Sequence, residues 1–162
     1  MKSRISRLSL AISVLFNAIL LLVLWHGAGV RDSRADQGAP EELAPYMAMM
    51  QHLSHKLGLA VQAKNQPLAA FYLEEVEEAS DIIKQKFPTY DKFEIGKLVD
   101  AMFVPAIEPL EKSINAKSWA VATAGYTRLV DSCNGCHAAT AHPFVKITAP
   151  TANPFSQTFS PQ

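Results

Sequence analysis

The sequence predicts an all-α fold: an antiparallel four-helix bundle with an N-terminal hydrophobic helix and an irregular C-terminal tail. Three observations carry this expectation. Apolar residues recur at helical spacing in four stretches between residues 41 and 140. Prolines and asparagines separate those stretches. No run alternates polar and apolar residues as a half-buried strand would. The chain has 162 residues, 49% of them hydrophobic, enough for one domain with a sizeable core plus a targeting segment.

Residues 1–28 read as a signal-anchor or a signal peptide. Lys2, Arg4 and Arg7 form a positive start, and Leu8 to Trp25 carries no charge. As a helix that run would reach roughly 27 Å at about 1.5 Å per residue, close to the thickness of a bilayer's hydrocarbon core. Signal-peptide cores are shorter, about 7–15 residues. Trp25 and His26 stand where an interfacial belt would be. Ser33-Arg34-Ala35 lies far from the apolar run for a cleavage site, and Gly27-Ala28-Gly29 lies closer. An uncleaved anchor is the favoured reading over removal. Either way the positive-inside rule sends the domain outward, to the periplasmic side of a bacterial inner membrane. Residues 29–40, with mixed charges from Arg31 to Pro40, read as a linker.

The first helix is expected over Glu41–Ala63, with Tyr46, Met50, Leu53, Leu57, Ala60 and Val61 on one face. Asn65-Gln66-Pro67 ends it, and Pro67 suits the first position of the next. That second helix, Pro67–Phe87, is expected to bury Leu68, Phe71, Tyr72, Ala79, Ile82 and Ile83, and Pro88 stops it. Glu75 falls in the middle of this face, either buried beside a partner such as Lys56 or solvated on a rotated helix.

The third stretch, Glu94–Asn115, carries Ile95, Leu98, Val99, Met102, Phe103, Ala106 and Leu110. Pro105 and Pro109 predict a kink or break, since each removes a backbone donor. The fourth helix runs over Ser118–Ala139 with Ser118 as N-cap. Four prolines exclude a further helix in residues 141–162. Phe144, Phe155 and Phe159 either clamp that tail to the bundle or leave it disordered.

The fourth helix ends in Cys133-Asn134-Gly135-Cys136-His137. C-x-x-C-H is the attachment signature of c-type haem. Two thiols three residues apart can both add to the haem vinyl groups, and the next imidazole can take the iron as proximal ligand. Stepping 100° per residue puts Ala122, Tyr126, Val130, Cys133 and His137 on one face, so the haem belongs in the bundle interior. A disulfide here would close too small a loop to stabilise much. A thioredoxin-type pair would need a βαβ neighbourhood, and structural zinc needs four ligands, with no second Cys pair to complete them.

Four helices with C-x-x-C-H on the last resemble the class II cytochromes c, the cytochrome c-prime group. The resemblance covers residues 41–140 as a four-helix haem c domain, and the long tail departs from it. It implies one covalent haem c on Cys133 and Cys136, with His137 as proximal iron ligand. It also implies a distal position that is either empty or filled from the first helix. Class I cytochromes c take a Met from beyond the motif, and no methionine follows His137. Met50, central on the first helix's apolar face, is the leading distal candidate, though a Met there also serves as core filler. His55, and less so His52, are the alternatives, with an open iron the third. His142 stands too near the proximal side to reach across.

The chain carries 15 basic and 15 acidic residues, but five basic and one acidic fall within residues 1–35. The remainder is therefore acidic by about four charges, which argues against nucleic acid as a partner. It permits docking with a basic redox protein, and a homodimer stays open. The leading function is electron transfer by a monohaem c-type cytochrome rather than an enzyme. A five-coordinate haem binding NO or CO, as sensor or scavenger, is the alternative. A peroxidase would have only His52, His55 and Glu75 as distal bases.

Overall fold

The structure, a computed structural model, describes residues 41–162. The expected N-terminal helix and the linker after it lie outside the described residues. Among the described residues all regular structure is helical. There is no strand, only an isolated bridge between Tyr90 and Phe93. No helix of this part is long and apolar enough to cross a membrane.

Helix α1 spans Ala44–Gln62, three residues later than the apolar pattern suggested, with Pro45 in its first turn. It buries Met50, Ser54, Leu57 and Val61 among others, close to the expected face. Its end is a Schellman turn. Lys64 takes a left-handed φ of 57°, and Asn65 N–H donates to the Ala60 carbonyl at 3.0 Å. Asn65 then caps α2, its Oδ1 accepting from Leu68 N–H at 3.3 Å.

Helix α2 spans Gln66–Lys86, and its inward face is corrected. Phe71 is 49% exposed and Ile82 38%, whereas Ala69, Leu73, Val76 and Ser80 are buried beside the expected Tyr72, Ala79 and Ile83. The helix is turned by about one residue, since contacts with α1 and with the third stretch decide which stripe is covered. Glu75 stands at the rim of that face, half-buried.

The third stretch breaks as its prolines predict. It consists of α3 (Ile95–Leu98), a π-helical turn (Val99–Phe103), a 3₁₀ turn (Val104–Ala106) and α4 (Ile107–Asn115). Ile95, Val99, Phe103 and Ile107 are all buried at four-residue intervals. A regular α-helix would drift off its own face at that spacing, and the wider π turn absorbs the drift. Pro105 falls in the 3₁₀ turn and Pro109 in the first turn of α4. There a missing N–H loses no helical bond.

Helix α5 spans Trp119–Ala139. Ser118 stands at its N-cap as expected, but its side chain makes no capping bond; its N–H closes the end of α4 on the Ser113 carbonyl at 2.9 Å. Gly125 lets α4 and α5 approach closely, since a Cβ there would lie 3.1 Å from Leu110. Helix α1 packs on α2, α2 on α4, and α5 on α1, α4 and the π turn.

Residues 141–162 are irregular but anchored. Phe159 is buried, Gln62 donates to the Pro150 carbonyl at 2.9 Å, and Tyr72 donates to Gln157 at 2.7 Å. Asn65 Nδ2 reaches the carbonyls of Phe159 and Ser160. The disordered reading of the tail is therefore set aside. Phe155 packs partly on the core, while Phe144 is 77% exposed and clamps nothing.

Candidate functional site

The site is the last two turns of α5. At 100° per residue Cys136 projects about 60° to one side of Cys133 and His137 about 40° to the other. The two thiols and the imidazole therefore share one sector, continuous with the buried Ala122, Tyr126, Leu129 and Val130. Both cysteines are free and half-buried. Burial, with Cys136 adding to it, pushes the Cys133 thiol up to about 11, and burial raises Cys136 as well. The motif also lies at the C-terminal end of its helix, where the dipole disfavours a thiolate. Catalytic redox pairs are built the other way, with a depressed thiol pKa.

His137 carries the most informative contact. Its Nδ1 lies 2.9 Å from the Val145 carbonyl oxygen. A carbonyl can only accept, so Nδ1 carries a proton, and in the neutral ring the lone pair is on Nε2. An imidazole that ligates a metal through one nitrogen commonly donates its other N–H in this way.

The carbonyl reaches that position because the chain reverses directly after the motif. Ala141 adopts a left-handed φ of 64°. Ala141 N–H donates to the Ala138 carbonyl at 3.2 Å and His142 N–H to the His137 carbonyl at 2.7 Å, which makes a Schellman turn. Thr140 closes the turn from its side chain, donating to the Cys136 and His137 carbonyls. The tail then passes back along α5. Asn134 pins it with two bonds, accepting from Ile147 N–H at 2.8 Å and donating to Ile147 O at 2.9 Å. On the other side of the motif Gly135 faces Met102 of the π turn, whose terminal carbon would lie 2.8 Å from a Cβ at Gly135.

Met50 is closed into the core of α1, one turn before Ser54. Tyr126 on the motif face of α5 donates to the Ser54 carbonyl at 3.0 Å, and the Ser54 hydroxyl itself is buried with no partner. His55 is half-buried under the tail, its Nε2 3.3 Å from the Ala152 carbonyl. His52 and His55 both meet the Phe155 ring edge-on. A cavity of about 300 Å³ is lined by Gln51, His55, Tyr126, Lys146, Ile147 and neighbouring tail residues. His142 stays beside the end of α5, with Nδ1 on the Thr140 carbonyl.

The donor set fits a haem c. Two free thiols at i and i+3 match two thioethers, and an imidazole with only Nε2 open matches one axial ligand. Asn134, Val145, Ile147 and Met102 are the site neighbours that sequence reasoning missed. Asn134 stood at an unassigned position of the motif, and nothing local marks a backbone carbonyl eight residues past a histidine as its partner. Ala141 hid the reversal, since glycine is the usual sign of it.

Comparison with known protein families, characterised proteins and solved structures finds no match for this chain.

Proposed function

We propose that this chain is a monohaem c-type cytochrome that transfers electrons to or from a redox partner protein. The observation that carries the proposal is the His137–Val145 hydrogen bond, which leaves Nε2 free on the same turn as two free thiols. Cys133 and Cys136 would hold the haem covalently and His137 would ligate its iron. When bound, the haem supplies a one-electron ferric/ferrous couple. The chain's own part is to hold the group, orient the imidazole and limit water. The half-buried motif and the buried stripe behind it suit that part.

The antiparallel four-helix arrangement, similar to that of class II cytochromes c, belongs to this proposal. Three-residue connections between α1 and α2 and between α4 and α5 support it, because short links join antiparallel neighbours. On the distal side Met50 is the proposed ligand from α1, supported by its burial on the helix that receives Tyr126. His55 is its rival, but its Nε2 would have to leave the Ala152 carbonyl first. Residues 1–28 would hold the domain on the periplasmic side of the membrane, through an uncleaved helix.

The test is a haem stain of the denatured full-length protein on a gel. The parent should keep its haem, and Cys133→Ala with Cys136→Ala should lose it, because no other cysteine exists. Haem retained by the double variant would refute the proposal. The alternative reading is a five-coordinate haem that binds NO or CO at an open distal position. Rapid CO binding by the ferrous parent would select it over electron transfer.

A further inference from the structure

We propose that Asn134 is a positioning residue for His137, clamping the returning tail so that the Val145 carbonyl holds Nδ1–H and Nε2 stays open. The inference rests on the haem reading for its functional meaning but not for its geometry.

Between Thr140 and Pro150 little apolar burial holds the tail. Phe144 is 77% exposed, Val145 39%, and only Ile147 is so much as half-buried. Yet the Val145 carbonyl must be kept within hydrogen-bond reach of a ring on another segment. What keeps it there is polar. Asn134 presents its carboxamide to both backbone groups of Ile147, the acceptor at 2.8 Å and the donor at 2.9 Å, as a neighbouring strand would. Ile147 is two residues beyond Val145, so fixing its peptide groups fixes the carbonyl. The turn at Ala141 and the bond from Val145 N–H to the His142 carbonyl, 3.0 Å, close the loop from the other side. Clamp and ligand therefore share one helical turn, three residues apart.

The chemistry comes from the held proton. Donation from Nδ1 fixes the tautomer and makes the ring a stronger electron donor through Nε2. Such a ligand favours ferric over ferrous iron, and second-shell hydrogen bonding is one of the levers on haem potential. Releasing the tail should raise the potential.

The experiment compares the full-length parent with Asn134→Ala, Asn134→Asp and Ile147→Pro. Asn134→Asp keeps the acceptor for Ile147 N–H but replaces the donor with a charged oxygen facing the Ile147 carbonyl, whereas Ile147→Pro removes that N–H without touching α5. In the haem-free reduced chain, long-range ¹⁵N–¹H NMR of the neutral His137 ring reads the tautomer. The parent should show the proton on Nδ1. Asn134→Ala and Ile147→Pro should drift toward Nε2–H, with Asn134→Asp in between. In the loaded protein both full disruptions should shift the reduction potential upward with covalent haem content unchanged. If they keep the parental tautomer and potential, or lose only thermal stability, Asn134 is structural and the proposal is overturned. If the parent carries no covalent haem, the haem reading fails alone, and the tautomer still decides the clamp.

Discussion

Tyr126 and Gly58 meet so closely that no methyl group fits between them. A Cβ on Gly58 would lie 2.5 Å from the phenolic carbon and oxygen of Tyr126, and 2.7 Å from Cδ of Pro150. The ring cannot simply swing away, since its hydroxyl is spent on the Ser54 carbonyl. Burial accordingly pushes the Tyr126 phenol well above its ordinary value. This contact joins the motif helix, α1 and the tail at one point. Gly58→Ala should therefore destabilise by about 1–3 kcal/mol, the range for overpacking a filled interior, despite the better helix propensity of alanine. Urea unfolding of the variant against the parent measures it, and equal midpoints would show that the tail yields.

The distal ligand is tested by a pair of substitutions in the loaded protein. Met50→Ala should turn a low-spin iron high-spin and open it to CO, because the thioether is the ligand proposed from the core of α1. His55→Ala should leave the spectrum unchanged, its imidazole being held against the Ala152 carbonyl. A high-spin parent, or a response to His55→Ala alone, would make Met50 core packing.

Ala141 holds a backbone conformation that costs a residue with a Cβ about 1–2 kcal/mol. Its φ of 64° is what turns the chain back toward His137. Ala141→Gly should relieve that cost and raise stability by about 0.5–1 kcal/mol, after allowing for the greater freedom of glycine when unfolded. The His137 tautomer should not change. A lower unfolding midpoint would mean that the Ala141 side chain contributes more than the strain removes.

The buried thiols give the haem-free, reduced chain a pH signature. Cys133 titrates at about 11 when folded, against 9.0 for the unperturbed group. Between those values the unfolded chain has released the proton and the folded chain retains it, so unfolding is favoured as pH rises. The contribution is complete below about pH 9 and is lost by about pH 11. Cys133→Ala should flatten that part of the curve in urea titrations taken at successive pH values. An identical slope in the variant would place the loss elsewhere.

The helical class was legible because helix periodicity and breakers act within a few residues. Pro105 broke the third stretch whatever surrounded it. The spacing of Cys133, Cys136 and His137 put three side chains in one sector of α5 by helix geometry alone. Other features depended on partners far along the chain. The stripe that α2 buries was set by α1 and by the third stretch, which left Phe71 and Ile82 outside. The π turn brings Met102 to Gly135 across 33 positions, and the reversal at Ala141 brings Val145 to His137. The sequence alone determined that two thiols and an imidazole share one sector of α5, since that follows from spacing and local helix geometry. Only the tertiary structure decided which nitrogen of His137 is left open, because that depends on a hydrogen bond from a segment with no periodicity to read.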